Sequence, residues 1–146
     1  MPKHHSSTIL PYTTKQLFDL VSDIESYPKF IPWCEGARVY ERVSNTILAD
    51  LIIHFRGITG KYTSKVILDE EHKRIIVELA DGPFEYLYQN WNFVQTEKGT
   101  QVEFYIDFKI KNFILEKLAD LMFDEACDKM MQAFIIRANN LCRISV

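Results

Sequence analysis

The sequence predicts an α+β domain in which a curved antiparallel sheet of about seven strands wraps around a long carboxy-terminal helix. Two observations predict this fold class. Between residues 37 and 111, apolar and polar residues alternate with a period of two in successive short segments. From residue 112 to about residue 143 there is neither Gly nor Pro, and apolar residues recur every three or four positions. A helix of that length needs an apolar sheet face to cover, which gives two packed layers.

The whole chain, residues 1–146, is predicted to form a single domain, because no linker, repeat or biased segment divides it. Its 47% hydrophobic content is that of a globular protein. The net charge of −3 disfavours a function that depends on contacts with nucleic-acid phosphates, because such contacts need a basic surface. No run of about 20 apolar residues predicts a transmembrane helix. Three cysteines without metal-like spacing favour a reducing compartment.

The first elements are a short strand and a helix. Residues 8–12 read as a strand that ends at a turn. Thr13, with Gln16 three positions later, fits a capping box at the start of a helix. We expect that helix to end near Tyr27, because the next residue is proline and disfavours helix at the residue before it. Residues 28–36 hold two prolines and a glycine, so they are predicted to form a helical turn or a loop.

Six consecutive strands are predicted to form an antiparallel meander, because tight connections such as Ser44–Asn45 and Glu97–Gly99 separate them. One face of each strand is apolar and the other mostly polar, which indicates one covered face and one solvated face. The predicted strands are 37–43, 46–56, 61–69, 74–80, 84–94 and 101–111.

The last helix is predicted to lay an apolar stripe on the covered face of the sheet. Four acidic residues spaced by four, namely Glu116, Asp120, Asp124 and Asp128, are expected on its solvent side. The residues of the apolar stripe are Leu115, Leu118, Met122, Ala126, Met130, Phe134, Ala138 and Leu141.

Three motifs carry a family resemblance. Residues 21–34, VSDIESYPKFIPWC, resemble the pattern V-x-D-[IV]-x-x-Y-P-x-F-[IVL]-P-W-C. Residues 81–93, DGPFEYLYQNWNF, resemble D-G-P-F-x-x-L-x-x-x-W-x-F. Residues 108–115, FKIKNFIL, resemble the F-x-[FIL]-x-[NS]-x-x-L junction into a final helix. Together with the order of elements, these motifs resemble the START / polyketide-cyclase-like superfamily. Within it, they resemble the branch of mitochondrial coenzyme-Q-binding START-domain proteins and bacterial RatA-type proteins.

This resemblance implies the helix-grip fold, with a ligand cavity between the sheet and the last helix. The mitochondrial members of the branch bind coenzyme Q and support respiration, whereas a bacterial member is a toxin that associates with the large (50S) ribosomal subunit. We expect the cavity to be lined by aromatic and aliphatic side chains that would also suit plain core packing. These residues are Trp33, Phe55, Tyr62, Leu87, Trp91, Phe104, Phe108, Met122, Met130 and Phe134.

A cyclase-type enzyme is the least favoured function. Such an enzyme needs a polar constellation inside the cavity, where burial can shift a pKa toward neutrality. His54 shares strand parity with the predicted outer face, and neither His72 nor the His4–His5 pair has a predicted partner. Cys34 has no histidine placed beside it, so the sequence does not support a nucleophile there.

A few polar side chains are the candidates for isolated polar groups inside the cavity. Tyr62, Tyr86 and Gln89 would suit the orientation of a quinone carbonyl better than catalysis. The apolar cluster at residues 30–33 would mark a partner or membrane contact if it were exposed.

Two functions therefore remain open on the sequence. The favoured one is non-enzymatic binding or transport of ubiquinone or a related prenylated lipid, with no required cofactor. The alternative is association with the large ribosomal subunit, for which Lys61, Lys65, Lys109 and Lys111 would form a basic patch if their strands were neighbours. No mitochondrial-type targeting extension is evident, so we expect a bacterial or an already processed member of this branch, located in the cytoplasm, with peripheral contact at the inner face of the membrane as a further option.

Overall fold

The computed structural model describes residues 3–55 and 57–142, and the side chains of all of these except Phe55, Ile58 and Cys142. It confirms the α+β class, with a seven-stranded sheet, a short helix after the first strand, and a long final helix. The elements are β1 (Lys3–Leu10), α1 (Thr14–Ser22), a 3-10 helix (Ile24–Lys29), β2 (Cys34–Val43), β3 (Thr46–Phe55), β4 (Ile58–Asp69), β5 (Arg74–Asp81), β6 (Phe84–Thr96), β7 (Gly99–Ile110) and α2 (Phe113–Cys142).

The sheet is the antiparallel meander that the alternation predicts. Its strand order is β1-β7-β6-β5-β4-β3-β2, so each strand from β2 to β7 pairs with its neighbour in the chain. Strand β1 pairs with β7 over its whole length, from Lys3 opposite Asp107 to Leu10 opposite Thr100. The strand predicted at 8–12 is therefore only the end of β1. Its earlier residues include His4 and Ser6, whose polarity hides the inward face from a hydrophobic pattern.

The first helix begins as predicted and ends earlier. The backbone N–H of Gln16 donates to Thr13 Oγ1 at 3.0 Å, and the Thr13 N–H donates to Gln16 Oε1 at 2.9 Å, which completes the capping box. Helix α1 then ends at Ser22, five residues before the predicted end at Tyr27. The Tyr27 hydroxyl donates to the carbonyl of Val21 at the end of α1, so the chain turns there and continues as the 3-10 helix.

The turn between β6 and β7 holds the amino-terminal segment close to the sheet. Gly99 has φ of +134°, and a Cβ at this position would lie 2.1 Å from the carbonyl oxygen of Leu10. Only glycine fits this conformation and this close approach. The predicted turn at 97–99 is thus confirmed, and its glycine also allows the end of β1 to pass closely.

The core lies between the concave face of the sheet, helix α1 and part of α2. Its most deeply buried large side chains are Phe18, Phe104, Ile47 and Ile75. The predicted inward faces of β3, β4, β6 and β7 are confirmed, because the alternating residues on them are buried.

Three predicted positions on α2 are wrong. Leu118 and Leu141 are 39% and 52% exposed, so they do not belong to the buried face. Glu116 is half-buried and accepts the N–H of Ile110 at 2.7 Å, so it ties the start of α2 to the end of β7 instead of facing solvent. The buried face passes through neighbouring residues such as Phe123 and Cys127, because 3.6 residues per turn allow several stripes of similar spacing.

Candidate ligand-binding cavity

A cavity of about 290 Å³ lies between the sheet and the amino-terminal half of α2. This volume is at the lower end of the range for small-molecule sites, roughly 300–1,000 Å³. Two exposed residues, Lys61 near the start of β4 and Pro83 in the turn after β5, stand at its open end. Its walls are otherwise almost entirely apolar. The cavity that the fold implies is therefore present, with its roof supplied by residues 115–130 of α2.

Most of the predicted lining residues meet around this space. Trp91 and Phe134 instead line a smaller neighbouring cavity of about 50 Å³. The side chain of Phe55 lies outside the described residues. Those that line the larger cavity are Trp33, Tyr62, Leu87, Phe104, Phe108, Met122 and Met130.

Several lining residues were missed by the sequence analysis. Phe84 stands before a bulge in β6, where the register shifts between Phe84 and Tyr86, so strand parity counted from Leu87 does not reach it. Phe123 follows Met122 on α2, and both line the cavity, because a wide apolar face includes adjacent residues. The other missed residues include Ile106, Ile110, Ala119, Ala126 and Cys127.

A chain of aromatic rings forms one wall. Tyr62 and Phe84 meet edge to face with their ring centroids 5.5 Å apart, and Phe84 meets Phe108 at 5.6 Å. Phe108 then contacts Phe123 of α2 at 5.0 Å, which links the sheet to the helix. Edge-to-face pairs of this kind are favourable beyond their buried area. The wall is thus held in shape by the rings themselves.

The inner end of the cavity adjoins the smaller one. Four residues, namely Trp33, Tyr62, Gln89 and Met130, line both spaces. The rest of the smaller cavity is lined by core residues of α1, the sheet and α2. These four side chains therefore form a partition between the larger cavity and the core.

Three members of this partition carry polar groups. The indole N–H of Trp33 is buried and has no hydrogen-bond partner among the described residues. Tyr62 is 8% exposed, and burial raises the pKa of its hydroxyl, so it stays protonated. The Gln89 side-chain carbonyl accepts the indole N–H of Trp91 at 3.3 Å.

Tyr86 does not belong to this group, and its predicted inward position is wrong. Its hydroxyl donates to Asp107 at 3.1 Å, and its backbone pairs with Lys109 on β7. Alternation along β6 places Tyr86 on the outer face of the sheet, because the adjacent Leu87 is buried on the inner face.

Among the described residues, no carboxylate or imidazole lines the larger cavity. The cavity lining includes the thiol of Cys127. Burial and the nearby carboxylates of Asp124 and Asp128 raise the pKa of this thiol to about 12. Burial likewise raises the pKa of Cys34 to about 11. Both thiols are protonated at neutral pH and are poor nucleophiles. Over the described part of the chain, no cluster of three or more potential metal ligands exists.

No histidine among the described residues lines the cavity, although three of them have partners that the sequence did not predict. His4 contacts Asp124 of α2 at 3.3 Å, and His72 contacts Asp69 at 3.0 Å. His54 is exposed on the outer face, as predicted, and its Nδ1 lies 2.7 Å from Thr59 Oγ1. The His4 contact ties β1 to α2.

The apolar cluster at residues 30–33 is mostly packed, so it is not the exposed patch that the sequence allowed. Ile31 is 2% exposed, and the Phe30 ring packs on Phe134 at 5.1 Å. A group of exposed apolar side chains lies instead on the outer side of the amino-terminal half of α2. We call this set the outer α2 face. Its members and their exposed fractions are Phe113 (70%), Ile114 (70%), Leu118 (39%) and Leu121 (83%).

The four lysines proposed as a basic patch do not meet. Lys61 and Lys65 lie on β4, and Lys109 lies on β7, with β5 and β6 between these strands. Two of the charges are also paired, since Lys61 lies 3.8 Å from Asp50 and Lys109 lies 3.3 Å from Glu85. Strand order thus disperses the positive charge. Within the described residues, no helix is both long and apolar enough to cross a membrane.

Two curated relatives resemble this chain over most of its length. The Ribosome association toxin RatA of Rickettsia prowazekii is 41% identical over 138 residues, which are 92% of this chain and 94% of that protein. The mitochondrial Coenzyme Q-binding protein COQ10 of Drosophila melanogaster is 32% identical over 132 residues, which are 87% of this chain and 54% of that protein.

A solved structure and a family match point the same way. The solution structure of an 18 kDa protein from Caulobacter crescentus superposes with a TM-score of 0.81 at 36% identity, covering 97% of this chain and 98% of that one. Residues 10–135 match the family described as polyketide cyclase / dehydrase and lipid transport. The resemblance seen in the motifs is thereby confirmed, and the chain belongs to the polyketide cyclase / dehydrase and lipid transport family.

Proposed function

We propose that this protein binds a hydrophobic ligand of the prenylated-quinone class in the cavity under the amino-terminal half of α2, without chemical change to that ligand. The observation that carries the proposal is the cavity of about 290 Å³ with apolar walls. A well-packed core has few voids larger than a water molecule, so a space of this size points to an occupant. The quinone class comes from the name of the relative COQ10.

The driving force is the removal of an apolar chain from water. Burial contributes about 0.8 kcal/mol per methylene group, so a few isoprene units supply micromolar affinity. The volume holds a head group and the first part of a chain, and a longer chain extends through the open end. Affinity should therefore rise with the first isoprene units and then level off.

Catalysis is not part of the proposal, because no carboxylate or imidazole lines the cavity among the described residues. The Cys127 thiol keeps its proton, since its pKa lies near 12. The Lys61 ammonium is 66% exposed at the open end, and Asp50 lies beside it at 3.8 Å. General acid–base chemistry needs a group whose pKa lies near the working pH.

A peripheral contact with lipid is the proposed route of loading. The outer α2 face turns four apolar side chains to solvent on the helix whose other side roofs the cavity. Contiguous exposed apolar residues of this kind are typical of a protein or membrane contact. Vesicles of neutral and anionic phospholipid should therefore co-sediment with the protein.

Association with the large ribosomal subunit is the second candidate function. The names of several relatives favour it, including one that is 41% identical. The dispersed lysines mean that charge alone does not supply the contact. Co-sedimentation with large subunits at low salt, where attraction between charges is strongest, tests this candidate. A wild-type protein that never co-sediments would eliminate it.

The proposed binding function is tested by analysing what the purified protein carries. We expect native mass spectrometry to show a mass increment on part of the population, and organic extraction to yield a quinone or a related lipid. The same protein, once delipidated, should take up added ubiquinone in a 1:1 ratio. Failure of the delipidated protein to take up any ubiquinone would contradict the proposal.

A further inference from the structure

The partition at the inner end of the cavity, formed by Trp33, Tyr62, Gln89 and Met130, differs in chemistry from the other walls. Hydrocarbon side chains of β6, β7 and α2 make up most of the lining, whereas three of the four partition residues carry polar groups. A polar group buried without a partner destabilises the folded protein, because its hydrogen bond to water is lost and not replaced. Such groups at one end of an apolar cavity need an explanation.

The polar groups of the partition are mainly hydrogen-bond donors. The indole of Trp33 can only donate, and its buried N–H has no partner among the described residues. The hydroxyl of Tyr62, which burial keeps protonated, likewise makes no hydrogen bond within that part of the chain. The Gln89 side-chain carbonyl accepts the indole N–H of Trp91, and Gln89 lines both cavities, so its amide N–H groups are the further donors of the partition.

We propose that the ligand carries a neutral oxygen acceptor, a carbonyl or an ether, which binds at this partition with its apolar chain leading out beneath the amino-terminal half of α2. This assignment rests on the proposed function and specifies which class of hydrophobic molecule the cavity takes. Trp33 and Tyr62 donate to the acceptor, and the aromatic wall of Phe84, Phe108 and Phe123 packs along the chain.

The charge of the site selects against other head groups. A carboxylate head would need a cation, and the lysine of the lining, Lys61, stands at the open end with Asp50 beside it. An ammonium head would need an acidic partner, and no carboxylate lines the cavity within the described residues. Burial of an unpaired charge is far more costly than burial of a hydrogen-bonded carbonyl. The arrangement therefore fits a neutral head.

The test compares two ligands of similar length by calorimetry on the delipidated protein. Decylubiquinone has ring carbonyls, and dodecylbenzene has none. Wild-type protein should bind the quinone at least about 10-fold more tightly, because a site that lacks its acceptor leaves its donors unpaired. The Tyr62→Phe variant should lose about 3- to 10-fold in quinone affinity and keep its affinity for dodecylbenzene.

Tyr86→Phe is the matched control, because it removes a tyrosine hydroxyl from the outer face of the same sheet. It should alter neither affinity. If wild-type protein binds both ligands equally and Tyr62→Phe changes neither, the assignment of the polar end is wrong while the binding function stands. If wild-type protein binds neither ligand, both proposals fail.

Discussion

The two halves of α2 differ more from each other than the uniform length of the helix suggests. In the carboxy-terminal half, Ala138 is fully buried and Phe134 is 4% exposed. The Phe134 ring contacts Tyr27, Phe30 and Trp91 at centroid distances of 5.6, 5.1 and 5.3 Å. In the amino-terminal half, Leu121 is 83% exposed, and the opposite side of the helix borders a cavity.

This difference shows that one continuous helix can pack into the core at one end and border a cavity at the other. The carboxy-terminal half supplies core contacts, so the helix is fixed there. Its amino-terminal half is tied to the sheet by the Glu116 carboxylate on the Ile110 N–H, by the contact between His4 and Asp124, and by the ring contact between Phe108 and Phe123. Packing thus secures the helix, and the space beneath its other half remains open for a ligand.

Truncation of one aromatic residue in each half should give the largest contrast in stability. Phe134→Ala removes a ring that contacts three others and should cost about 3–5 kcal/mol of unfolding free energy. Phe123 borders the cavity, so Phe123→Ala removes fewer packing contacts. Its loss of unfolding free energy should be nearer the transfer free energy of about 1.5–3 kcal/mol. Urea melts of both variants measure the contrast. Equal losses would mean that the two halves pack alike.

The pH dependence of stability should depend on the ionisation of the Cys127 thiol. Cys127 lies where the two halves of α2 meet. The pKa of its thiol is about 12 in the folded protein, whereas the pKa of a cysteine thiol in an unfolded chain is about 8.5. The stabilising contribution is therefore complete below pH ~8.5 and is lost as pH rises toward the folded value. The urea midpoint should fall less between pH 7 and pH 10 for Cys127→Ala than for wild type. Identical falls would show that the thiol is not held in its neutral form.

Substitution on the outer α2 face should have the smallest effect on stability. Leu121→Ser should change the unfolding free energy by less than about 0.5 kcal/mol, because the side chain is largely solvated. It should nevertheless weaken co-sedimentation with phospholipid vesicles. Ile136→Ser, at a residue that is 58% exposed on the other half of the helix, is the control and should bind vesicles as wild type does. Equal vesicle binding by both variants would show that the outer α2 face does not contact lipid.

Strand alternation was sufficient to predict most of the sheet and its inward side. Phe104 and Phe108 were placed correctly because β7 is regular and strongly alternating. Where the register shifts, alternation fails: the bulge between Phe84 and Tyr86 brings Phe84 to the inner face, although its parity with Leu87 predicts the outer face. An edge strand with a polar inner face, such as the start of β1, gives no hydrophobic signal at all.

The sequence predicted many of the residues that line the candidate site, but it did not predict where the lining ends on α2. Helical spacing identified Met122 and Met130, yet the same spacing admitted Leu118, which is exposed. The spacing of apolar residues along a helix does not indicate which part of a wide apolar face contacts the sheet. The division of α2 into an anchored half and a half above a cavity depends on long-range packing, which no local pattern records.

The most direct test of the central claim is to fill the cavity without disturbing the anchored half of α2. Ala126 is half-buried and lines the cavity, so Ala126→Trp places an indole in the space that we assign to the ligand. Gln132→Trp adds the same side chain at an exposed position of the same helix. Titration with decylubiquinone should show at least about 10-fold weaker binding for Ala126→Trp and wild-type affinity for Gln132→Trp, with both variants cooperatively folded. Wild-type affinity in a folded Ala126→Trp variant would contradict the account.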